Sequence, residues 1–174
     1  KNWTNKFEGP MTLVRALTTS NNIITIKLFL KIGSQYVLPW ARLFGITREL
    51  NEYPSTALGT AEATVEENAA AFNVFANNGV YVKPYLIEWV KDAGGVKLFE
   101  AEPESRRVLA SRLNAKMVNL LAQRMLVAAQ REQGSWPEGN AWFDAESIGK
   151  TGSTNGAATT WFVGATPGLT TALY

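Results

Sequence analysis

Histidine and cysteine are both absent from this 174-residue chain. Their absence removes Ser-His-Asp and Cys-His nucleophilic machinery from these residues, together with the usual zinc sites. Proton transfer is left to lysine, tyrosine or a carboxylate. Without cysteine there is no disulfide framework, a lack that fits an oxidising compartment as well as the cytosol. Long apolar runs are also missing. The most apolar segment, Ile23 to Ile32, is interrupted by Lys27 and Lys31 and is too short to span a bilayer. No stretch reads as a signal peptide. Lysine and arginine are scattered without runs and the net charge is only +2, so neither a nucleic-acid stripe nor a polybasic membrane patch is present. What the chain does have is 46% hydrophobic residues, enough for one domain with a sizeable core and too short a length for a second full one.

The first ten residues, with Trp3 and Phe7 among polar neighbours and a Gly9-Pro10 break, read as loop. Leu13, Val14 and Leu17 have helical spacing up to the polar cluster Thr18 to Asn22, and a second helix is expected from Ile23 to a stop at Gly33, although its β-branched start also suits a strand. A third is expected between Ser34 and Gly45, with Pro39 delaying its start or kinking it. Thr47 to Thr64 reads as an ordered loop. Thr64 and Glu67 have capping-box spacing, and Asn77-Asn78-Gly79 ends the helix they begin, with Ala69, Phe72, Phe75 and Ala76 facing inward. Tyr85 to Lys91 and Val96 to Glu100 alternate with period two around Asp92-Ala93-Gly94-Gly95, which predicts a β-hairpin. After a polar link, Ser111 heads a long helix lined by Leu113, Met117, Leu120, Leu121, Met125 and Ala128 to about Gln133, with Gly134 beyond. The loop Gly134 to Asp144 then leads to three strands, roughly Glu146 to Thr154, Thr159 to Thr166 and Leu169 to Tyr174, in an antiparallel meander.

The chemistry concentrates in the first of those strands, within GKTGSTNGAATTWFVG from Gly149 to Gly164. Side chains alternate along a strand, so Thr151 and Ser153 share one face and Lys150 takes the other. Gly152, without a Cβ, lets a ligand backbone approach closely and leaves the Ser153 N–H to donate to a developing oxyanion. Two hydroxyls beside one amide donor suit a substrate carboxylate, with Lys150 adding positive potential. The same residues also suit an ordinary strand, a turn at Asn155-Gly156 and a second strand. Trp161 and Phe162 are best read as core packing.

Working outward from that strand, the chain resembles the transpeptidase domain of class A, bifunctional penicillin-binding proteins. The resemblance includes GKTGSTN, WFVGATPG, GPMTLVRALTTSNN, PSTALGTAEATVEENAAAFNVFANNGV and the hairpin after Pro84, in the family's order over nearly the whole chain. It implies an α+β fold of the penicillin-binding transpeptidase and serine β-lactamase type, an antiparallel sheet with helices plus a helical subdomain. The family's motifs are S-x-x-K, S-x-N and K-T-G. Ser20 and Asn22 match the second, and Lys150, Thr151 and Gly152 the third. The roles implied are proton relay toward the leaving amine for Ser20, orientation of the substrate amide for Asn22, and electrostatic polarisation of Ser20 by Lys150. Ser153 stands where the family often has threonine and keeps the hydroxyl and the oxyanion-hole amide. Taken alone, Ser20-Asn21-Asn22 is equally a helix-to-helix turn in which Ser or Asn caps the second helix. A second formal S-x-N, Ser153 to Asn155, belongs to the K-T-G strand and its turn.

Only Lys150 has a serine three residues before it, Ser147. On a strand those side chains point to opposite faces, and Lys150 cannot fill both lysine roles. The nucleophilic serine is therefore expected upstream of Lys1, with any transglycosylase domain and membrane anchor. The domain is expected to be incomplete at both ends, lacking also a last strand and C-terminal helix, to fold with a complementary segment of the same parent protein, and to be inactive alone. The implied activity is D,D-transpeptidation of peptidoglycan stem peptides through a serine acyl-enzyme, on the periplasmic face of the bacterial inner membrane, with β-lactams as acylating inhibitors. No cofactor, metal or nucleic acid is implied. A hydrolase on the same fold, either a carboxypeptidase or a β-lactamase, and a non-catalytic binding module are the alternatives.

Overall fold

The computed structural model describes residues 8–131, 146–153 and 159–174. The readings for Trp3, Phe7, the Gly134 to Asp144 loop and the Asn155-Gly156 turn fall outside them, as do the side chains of Met125 and Ala128. Helix α1, Leu13–Thr18, starts at Thr12, whose Oγ1 accepts from the Arg15 N–H at 3.2 Å. Asn21 caps α2, Asn22–Ile32. Gly33, at φ 93°, separates α2 from α3, Ser34–Leu43. Pro39 does not delay the start of α3 but stands inside it. None of that helix is buried, so water can satisfy the carbonyl that proline leaves without a donor.

The segment read as an ordered loop holds a 3₁₀ turn, Pro54–Leu58. The capping box then forms as its spacing predicts. The Glu67 N–H donates to Thr64 Oγ1 at 3.0 Å and the Thr64 N–H to Glu67 Oε2 at 2.8 Å, opening α4, Val65–Ala76. Its most buried positions are Ala70 and Val74, one turn apart, rather than Ala69. Phe72, Phe75 and Ala76 pack from the side as expected.

Two strands were not foreseen: β1, Val80–Val82, pairs antiparallel with β4, Ser105–Arg107. A Ser-Arg-Arg strand carries no period-two apolar signal. Between them lies the expected hairpin, shortened to β2, Trp89–Lys91, and β3, Lys97–Glu100, with a bulge and every strand residue exposed. Asp92 Oδ1 closes the turn by accepting from the Val96 N–H at 2.9 Å.

Helix α5, Ser111–Arg131, buries Leu121 and half-buries Met117 and Leu120 as its apolar line predicts, but Leu113 is exposed and its neighbour Asn114 is buried instead. Asn114 is drawn inward because its Nδ2 donates to the Phe75 carbonyl at 2.9 Å at the packed face of α4. The last strands, β5 Ile148–Ser153, β6 Thr160–Thr166 and β7 Leu169–Leu173, form the expected antiparallel meander in that order. Lys150 pairs with Val163 and Gly149 with Gly164.

One buried cluster joins Ala70, Val74, Tyr81, Val108 and Leu109, and a second joins Leu121, Ile148 and Ala165. Phe75 packs against both. Helix α4 lies on β6 and β7, while α5 lies between β5 and α1. That sandwich brings the joint between α1 and α2 up to the outer strand β5.

Candidate functional site

The joint is built from two caps that share residues. Helix α1 ends in a Schellman motif: the Ser20 N–H donates to the Leu17 carbonyl at 3.1 Å and the Asn21 N–H to the Ala16 carbonyl at 2.8 Å. The position between α1 and Asn21 must adopt left-handed backbone, and Ser20 does so with φ 55°. Glycine is the usual occupant of such a position, and an L side chain there costs about 1 kcal/mol. Asn21 then turns to cap α2, its Oδ1 accepting from the Ile24 N–H at 3.0 Å. Asn22 is the first residue of α2 and half-buried. The chain therefore makes the helix-to-helix turn that Ser20-Asn21-Asn22 also suggests, but Asn21 is the cap. Ser20 is the residue that local geometry does not favour.

Across from the joint, Lys150 projects from β5 on the face of Ile148, which is buried with Leu121. Its Nζ donates to Ser20 Oγ at 2.8 Å, bridging 130 positions of sequence, and to the Thr151 carbonyl at 2.6 Å. An ammonium has donors only. The Ser20 oxygen therefore accepts from Lys150, and its own proton is directed elsewhere. A hydroxyl held this way is polarised by the charge and set to donate to an incoming group.

Thr151, Gly152 and Ser153 continue β5 along the exposed outer strand of the three-stranded sheet. A Cβ built on Gly152 would meet Trp161 Cβ at 3.6 Å, an ordinary contact, so internal packing would accept alanine there. Gly152 does not have left-handed φ either. The structure thus brings Ser20, Lys150 and the Thr151 to Ser153 edge to one surface, with Asn22 two residues from Ser20. Asn21 was not singled out from sequence, although an asparagine three residues before Ile24 at the head of an apolar run was the available signal.

Two shallow clefts lie elsewhere. One is lined by Leu38, Pro39, Arg42, Leu43 and Arg106, the other by residues around Thr47, Glu67 and Tyr81, and neither includes the residues above. Among the described residues no three His, Cys, Asp or Glu gather as metal ligands, and no helix is long and apolar enough to cross a membrane.

Comparison with known proteins converges on one family. The penicillin binding protein transpeptidase domain matches residues 1–172. Penicillin-binding protein 1A of Neisseria lactamica is 33% identical over 179 residues, covering 100% of this chain and 22% of that protein. The crystal structure of penicillin-binding protein 1A from Haemophilus influenzae superposes with a TM-score of 0.82 at 28% identity, covering 99% of this chain and 31% of that one. PonA1 from Mycobacterium tuberculosis, solved in complex with penicillin V, gives a TM-score of 0.77 at 25% identity over 99% of this chain and 49% of that one. The chain thus spans less than half the length of each of these relatives.

Proposed function

The chain belongs to the penicillin-binding protein transpeptidase family, and from that premise we propose that it forms one wall of a D,D-transpeptidase site that cross-links peptidoglycan stem peptides and is acylated by β-lactams. A serine in another segment of the parent protein attacks the carbonyl carbon of the D-Ala-D-Ala bond. The carbon–nitrogen bond breaks, leaving an ester on the serine. The serine's proton passes to that serine's lysine partner, and the departing amine takes up a proton through the Ser20 hydroxyl. An amine from a second stem peptide then attacks the ester and regenerates the serine.

Each residue on this wall has a task in that sequence. Lys150 holds and polarises Ser20. Asn22 orients the peptide amide. Thr151 and Ser153 receive the terminal carboxylate, and the Ser153 N–H faces the developing oxyanion. Gly152 gives the substrate backbone room, which fits a glycine that neither φ nor internal crowding demands. The site lies on the periplasmic side of the inner membrane, where stem peptides are found. A complementary segment of the same protein covers the exposed apolar side chains, among them Leu86, Leu98 and Leu173.

The observation that carries this reading is the 2.8 Å bond from Lys150 Nζ to Ser20 Oγ. Labelling of the full-length parent protein with a fluorescent penicillin tests it. Lys150→Ala is expected to slow acylation by about 100-fold or more, the scale of losing a positioned electrostatic partner. Labelling of that variant at the unmodified rate would refute the reading.

A further inference from the structure

Asn21 is the buried pivot of the joint, only 5% exposed, with Ser20 and Asn22 on either side. All its polar groups are engaged. The backbone N–H goes to Ala16, the carbonyl accepts from the Thr25 N–H and hydroxyl at 3.2 and 2.9 Å, and Oδ1 caps Ile24. Those partners belong to the two helices themselves. The remaining group, Nδ2, donates to Glu8 Oε2 at 3.3 Å, thirteen positions earlier in the chain. An ionised carboxylate only accepts, so it selects the amide orientation that leaves Oδ1 facing the Ile24 N–H; the flipped amide would set donor against donor at Ile24 and acceptor against acceptor at Glu8.

From this geometry we infer that Glu8 is a positioning residue for Ser20 and Asn22, acting through the side-chain amide of Asn21; the inference rests on the function proposed above. A tilt of Asn21 is passed through one peptide bond to a serine already held in left-handed backbone and bonded to Lys150. Misplacement of a reacting group by about 1 Å can cost on the order of 100-fold in rate. Glu8 itself is exposed, so replacing it leaves both buried clusters intact.

The test is the acylation of the full-length protein by benzylpenicillin, resolved into the dissociation constant of the initial complex and the acylation rate constant. Glu8→Ala is expected to lower the rate constant by about tenfold, a fraction of that positional penalty, with the initial complex and the melting temperature little changed. Glu8→Gln, neutral but still able to accept from Asn21 Nδ2, is expected to recover to within about twofold of the native rate. Three results would overturn the inference: native acylation in Glu8→Ala, a glutamine variant as slow as the alanine one, or a loss confined to the dissociation constant. If Lys150→Ala is still impaired, the proposed function stands when any of these is found. If Lys150→Ala acylates normally, both fall.

Discussion

Ser20 occupies a backbone conformation that glycine would adopt at lower cost, and that mismatch separates structural from chemical demands at one position. A serine kept only to end α1 and start α2 gains nothing over glycine, because the adjacent cap belongs to Asn21. Ser20→Gly is therefore expected to leave stability unchanged or raise it by up to about 1 kcal/mol. The same variant is expected to lose most β-lactam acylation in the full-length protein. Paired thermal denaturation and labelling measure the two effects, and a destabilised but normally labelled variant would assign Ser20 a structural role instead. The S-x-N and K-T-G residues could be picked out from sequence because their types and spacing are distinctive. The left-handed φ could not, because serine lacks the glycine signal of such a helix end, and the meeting with Lys150 was implied only by the resemblance, since it depends on how α1, α5 and β5 stack.

Element boundaries were legible where a local signal marks them. The Thr64 and Glu67 pair opened α4, and the Asp92 to Gly95 turn set the hairpin. Strand β4 was invisible because its residues are polar, and it forms through contacts made far along the chain. Arg106 stacks its guanidinium 4.0 Å from the Tyr81 ring of β1. It also donates from Nε and Nη2 to the Leu43 carbonyl, at 3.1 and 2.9 Å, at the end of α3. A cation at a helix C-terminus is favoured by the orphan carbonyls and the dipole there. Arg106→Ala is expected to destabilise by roughly 1 to 3 kcal/mol, and Arg106→Lys to recover only part of this, because an ammonium cannot stack and fork at once. Denaturant unfolding of the two variants beside the native protein provides the comparison, and equal midpoints for all three would show that β4 needs no such clamp.

At the scale of the molecule, two modest buried clusters meet at Phe75, and Glu67 fastens the segment after α3 to the start of α4. Partial burial works against the ionised form of Glu67. Hydrogen bonds from the Thr47 hydroxyl and the Thr64 and Thr47 amides, with Arg48 nearby, outweigh it and lower the pKa from 4.5 to about 2. A depressed carboxylate pKa contributes stability that is present above the unfolded value and lost as pH falls through the folded one. Stability is thus expected to decline between about pH 4.5 and 2, and Glu67→Gln, which can still complete the capping box, to show a shallower decline in that window. Denaturant titrations at a series of pH values measure both slopes, and parallel slopes would exclude Glu67 as a source. Sequence by itself determined the chemistry available, the capping box of α4, the hairpin and the terminal meander, because propensity, periodicity and turn residues act over a few neighbours. Tertiary structure alone decided that β1 pairs with β4, that Asn114 rather than Leu113 faces inward, and that Ser20 meets Lys150. Each of those depends on packing between elements distant in the chain, where burial and hydrogen-bond satisfaction outweigh local preference.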